Sequence, residues 1–98
     1  MEDIFDELDE DSQLEKARKA KADRELELYT IRNTMGTPHG RRMFYRMIFP
    51  TGVYNGTFSP DPYVNAYNSG LRAQGFSIIA ELTEASHELY LTMLKENQ

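Results

Sequence analysis

Breaks in helix propensity divide this chain more sharply than any other feature. Glycine and proline are absent before Gly36, cluster between Gly36 and Gly40, and return between Pro50 and Pro62. Glycine opposes helix through backbone entropy, proline through its missing N–H and fixed φ. Residues 12–34 are strong helix formers without either breaker, and Gly36 is a natural stop. Thr37 and Pro38 then form an N-cap followed by proline at the first helical position, where the missing N–H costs nothing. Met43, Phe44, Met47 and Ile48 mark an apolar stripe, and Pro50 ends the element. Asp61-Pro62 repeats the start signal. It predicts a helix from Pro62 to near Ala85, with Val64, Tyr67, Leu71, Ile78, Ile79 and Leu82 inward. Ser86 is placed to cap a last helix from His87 to about Glu96, with Leu89, Tyr90, Met93 and Leu94 as its stripe. Leu26 and Tyr29, with Leu28 and Ile31, predict the core face of the first helix. Gly70 and Gly75 inside the long helix predict a close approach or a bend.

The expected fold class is therefore all-α: a small bundle of three or four helices, an irregular aromatic loop or tiny β-hairpin at 50–61, and a mobile acidic N-terminus. Within "GVYNGTF", Asn55-Gly56 suits a type I′ turn, because both central residues of that turn need positive φ. Two residues per arm cannot hold a hairpin alone. The loop is therefore expected to lie on helices through Tyr54 or Phe58, with Phe58 buried.

Charge is distributed unevenly. Residues 1–11 carry seven acids and no base, whereas residues 12–46 carry nine bases and four acids. This divides the chain into an acidic mobile tail at 1–11, a charged and projecting helical segment at 12–25, and a helical domain at 26–98. Ile4, Phe5 and Leu8 give the tail a short apolar stripe, which suits docking on a basic surface of its own domain, a neighbouring copy or another protein. Arg41, Arg42 and Arg46 form the complementary basic candidate, able to clamp phosphates or to pair with acids.

Chemistry is scarce. No cysteine is present, which excludes disulfides and thiol catalysis. The acidic N-terminus is unlike a signal peptide, and no apolar run reaches the ~20 residues of a membrane span. "GLRAQGFS" has phosphate-loop glycine spacing, but Phe76 stands where the lysine is needed. Glu84-x-x-His87 is a single copy of a motif that di-metal sites use twice. Asn55-Gly56-Thr57 is a glycosylation acceptor only in a secreted chain. We expect no catalytic residue, no metal and no cofactor.

The run "GRRMFYRMI", then "GVYNGTF", "DP", "G.R..G" and "ELY..ML" resembles a family of small proteins encoded among the virion-structure genes of short-tailed bacteriophages. The matching positions include Gly40, Arg41, Arg42, Gly52, Val53, Tyr54, Thr57, Phe58, Pro62, Gly70, Arg72, Gly75, Glu88, Leu89, Tyr90, Met93 and Leu94, within about residues 26–96. Where the family pattern has an acidic residue before the first glycine of "G.R..G", this chain has Ser69. The resemblance implies a helical domain in a phage context, in the virion or the infected host cytoplasm. The expected function is a non-enzymatic, protein–protein role in the virion or its assembly, around the head–tail junction or DNA packaging. Phage structural proteins or further copies of the chain are the expected partners. Two alternatives are a nucleic-acid-binding accessory protein, using Arg41, Arg42, Arg46 and residues 16–24, and an early protein that binds a host factor.

Overall fold

The computed structural model describes residues 2–56 and 58–98, with side chains from residue 7 onward. The protein is all-α. Helix α1 spans Glu2–Met35, α2 spans Pro38–Ile48, a 3-10 turn covers Phe49–Thr51, and α3 spans Pro62–Glu96. No strand occurs among the described residues.

The local signals act where they stand. Thr37 is extended (φ −116°, ψ 150°), and its hydroxyl accepts from the Gly40 amide at 3.1 Å, opening α2. Asp61 accepts from the Tyr63 amide at 2.8 Å and opens α3. At Ser86 the backbone leaves helical geometry (φ −166°, ψ 103°), and its hydroxyl accepts from Leu89 N at 3.2 Å. α3 is thus two helical arms, 62–85 and 87–96, meeting at a kink that carries its own cap.

α1 differs from expectation. It runs unbroken across residues 11 and 12, so the acidic segment and the basic segment belong to one 34-residue helix. Every residue from 7 to 23 is exposed.

The centre of the fold is small. Among the described residues, Met35, Ile48, Leu82 and Met93 are the large side chains fully removed from solvent. Ile31, Phe44, Tyr45, Tyr54, Ile78, Ile79, Leu89, Tyr90 and Leu94 pack round them. Several expected inward faces are rotated from their predicted setting. In α2, Phe44 and Ile48 turn inward but Met43 and Met47 turn out. The buried row is Arg41, Phe44 and Ile48, at i, i+3 and i+7. In α1 the inward row is Arg24, Leu28, Ile31 and Met35, leaving Leu26 and Tyr29 exposed. Val64 and Tyr67 share the face of Leu82, yet both are exposed, because the first turns of α3 extend beyond the elements that cover Leu82.

The connecting loop also departs from the expected turn. Among the described residues Gly52 alone has positive φ (80°), and Asn55 does not. A type I′ turn at Asn55-Gly56 is therefore excluded, and the left-handed step follows the 3-10 turn instead. Thr57, the expected partner of Tyr54 in the hairpin alternative, lies outside the described residues. Tyr54 is the anchor: its ring stacks on Tyr45 at 5.7 Å, and its hydroxyl lies 3.0 Å from that of Tyr90. Phe58, expected to be buried, is 86% exposed. Phe58→Ala is therefore expected to change stability by less than about 0.5 kcal/mol, as a surface substitution does. A thermal melt displaced by ten degrees or more would contradict this placement.

Burial first, and then the Tyr90 hydrogen bond, push the Tyr54 phenol above its ordinary pKa. A raised folded-state pKa adds stability that is fully present below the unfolded value, about 10, and is lost as pH rises above it. Urea midpoints should accordingly fall above pH ~10 in the wild type and fall less steeply in Tyr54→Phe.

Candidate functional site

The sequence candidates separate once folded. Arg41 turns inward and is 9% exposed. Its Nε donates to Glu96 Oε1 at 2.6 Å, and its Nη1 donates to the Met35 carbonyl at 2.9 Å. One guanidinium thus ties the end of α1 to the end of α3. It satisfies a carbonyl left open at the C-terminus of α1, where no intrahelical donor follows. Arg41 is a structural tie and is not available to an outside partner.

Arg42 and Arg46 lie one turn apart on the opposite side of α2, and both are exposed. Among the described residues neither enters an ion pair; all the bridges belong to Arg24 and Arg41. With Tyr45, Phe49, Pro50 and Asn97 they line a groove of about 380 Å³. Met43, Arg46 and Met47 line a second hollow beside it. Tyr45 and Phe49 stand with ring centroids 5.7 Å apart, fixed from behind by the Tyr54 stack. The outer face of α2 is therefore a basic strip with an aromatic floor and two exposed methionines. Arginine supplies a planar, permanently charged donor fork for carboxylates or phosphates. Methionine supplies apolar contact that adapts to a partner's shape.

The methionines and Phe49 are absent from the set the sequence points to, because the predicted stripe put Met43 and Met47 in the core. Arg41 at i, i+3 and i+7 with Phe44 and Ile48 was the available signal.

The apolar candidates of the tail fall differently. Leu8 is 60% exposed. The side chains of Ile4 and Phe5 lie outside the described residues.

A second charged cluster joins α1 to α3. Arg24 donates to Glu81 at 2.7 Å, to Glu84 at 2.6 Å and to Glu27 at 3.2 Å. The bonds to Glu81 and then Glu84 raise the Arg24 pKa above its ordinary value. Glu84, half of the Glu-x-x-His motif, is engaged here, and the Ser86 kink falls between it and His87. Such exposed pairs fix orientation more than they add stability.

Compared with family models, curated proteins and solved structures, the chain has no match.

Proposed function

We propose that this is a non-enzymatic interaction protein whose uncovered faces are completed by other proteins. Helical domains ordinarily bury their apolar stripes against a second packed element. One observation carries the reading: thirteen large apolar side chains are exposed among the described residues, against four that are fully buried. Surfaces of that kind mark protein contacts.

The resemblance noted above supports a setting in a bacteriophage, in the virion or its assembly, at the head–tail junction or in DNA packaging. Among the described residues no helix is long and apolar enough to cross a membrane. The test is quantitative mass spectrometry of purified particles and of assembly intermediates from infected cells. The chain is expected at a fixed ratio to a structural protein in one of these fractions. Absence from both would overturn the assembly reading and favour a host-factor partner.

Exposed Arg42 and Arg46 favour a second reading, nucleic-acid binding. Two neutralised phosphates would give a log–log salt slope of about −1.8 on duplex DNA. The protein-partner reading expects no saturable duplex binding at low salt. A slope of that size, lost in the double variant Arg42→Ala/Arg46→Ala, would move the assignment to nucleic acid.

A further inference from the structure

The outer face of α2 and the acidic start of α1 complement each other, but one molecule cannot bring them together. Met35 touches Arg41 at the base of α2. From Met35 back to Leu8 the chain is one continuous helix, and 27 residues at 1.5 Å rise place Leu8 roughly 40 Å away. α2 has 11 residues and spans only about 16 Å, so the acidic segment lies out of reach of its own Arg42 and Arg46. Glu7, Asp9, Glu10 and Asp11 are exposed, and Glu7 and Asp11 stand four residues apart, where like charges on a helix repel. Nothing basic occurs in residues 1–11 to relieve this.

From this geometry we infer that the acidic segment of one copy docks on the α2 face of a second copy. This rests on the protein-partner reading above and names the partner. The segment offers carboxylates interleaved in sequence with Ile4, Phe5 and Leu8. The face offers Arg42 and Arg46 beside Tyr45, Phe49, Met43 and Met47. The match follows the common mode in which an amphipathic helix sets apolar residues on a Met- and aromatic-lined groove, with charges at the rim. Donor and acceptor surfaces are different parts of the chain, so the contact is head-to-tail. Repetition of such a contact closes into a ring or extends as a filament.

Sedimentation velocity of the full-length protein at 50 mM and 500 mM salt tests this, with two charge-reversed variants. One is Arg42→Glu/Arg46→Glu. The other is Glu7→Lys/Glu10→Lys/Asp11→Lys. All five positions are exposed, so helix content by circular dichroism should be unchanged in both. The wild type should self-associate at low salt and weaken at high salt. Each variant alone should associate about 10- to 100-fold more weakly, since the first sets acids against acids and the second leaves four acids beside three new bases in the segment. Mixing the two variants should restore association, because the unchanged acidic segment of the first meets the unchanged α2 face of the second. A monomeric wild type at low salt, association unchanged by either variant, or a mixture that stays dissociated would each overturn the inference. None of these outcomes touches the particle test of the protein-partner reading, so the two can fail separately.

Discussion

Arg41→Ala is expected to destabilise the protein by about 2–4 kcal/mol, whereas Arg42→Ala and Arg46→Ala should each stay within about 0.5 kcal/mol. The three arginines fall within six residues, yet only Arg41 is buried. Removing its guanidinium leaves the Met35 carbonyl without its donor and Glu96 without its counter-charge. A broken buried pair typically costs about 3–5 kcal/mol. The range is set lower here because the Glu96 side chain keeps a third of its surface in water and can rehydrate. Small domains have only about 5–15 kcal/mol in total, so the melting temperature should drop by roughly 10–25 °C. Thermal melts of the three single variants provide the comparison. Equal effects at all three positions would mean that Arg41 is not the tie between α1 and α3.

The two glycines of "GLRAQG" should respond in opposite senses. Gly75 is buried where α3 crosses the 3-10 turn. A Cβ there would collide with Thr51 Oγ1 and Val53 Cγ2, and would stand 2.9 Å from Thr51 Cβ. Thr51 cannot easily retreat, because its hydroxyl donates to the Ile48 carbonyl at 2.5 Å in a buried setting. Gly75→Val is therefore expected to cost about 1–3 kcal/mol through overpacking, and Gly75→Ala somewhat less. Gly70 has nothing within 4 Å of its Cβ direction. Gly70→Ala should stabilise the helix by about 0.5–1 kcal/mol, the ordinary gain of alanine over glycine. Urea titrations of the variants measure both. A destabilising Gly70→Ala would show that this face of α3 packs against something in solution, which would itself locate a partner contact.

The surface proposed for a partner was legible only in part. Arg42 and Arg46 were recognisable as a basic pair one helical turn apart. That Arg41 does not belong with them depends on the end of α3, more than fifty residues away, which supplies Glu96. Met43 and Met47 read as core because they are apolar and lie beside Phe44 and Ile48. A stripe at i, i+1, i+4, i+5 spans about 100° or more of a helix surface. The neighbours decide which edge of so wide a stripe is covered. Here the covered edge is the one with Tyr45, which stacks on Tyr54, on the far side of Phe44 and Ile48 from Met43 and Met47.

The sequence by itself determined the helices and their ends, except the start of α1, which lies at Glu2 rather than at residue 12. Thr37, Asp61 and Ser86 cap, Pro38 and Pro62 start, and Gly36 and Pro50 stop, each through hydrogen bonds or dihedral limits reaching no more than four residues along the chain. Signals of that range survive without knowledge of the fold. Tertiary structure alone decided which faces those helices bury. Tyr54 rather than Phe58 anchors the loop because Tyr45 and Tyr90 lie within its reach, and Gly52 rather than Gly56 takes the left-handed step. Val64 and Tyr67 stay in water because α3 extends past the elements that cover Leu82, and Leu26 and Tyr29 because α1 turns Leu28, Ile31 and Met35 inward instead. Periodicity along a helix says that an apolar face exists, but burying that face takes a second surface of matching length, and this chain does not supply one for all of its own.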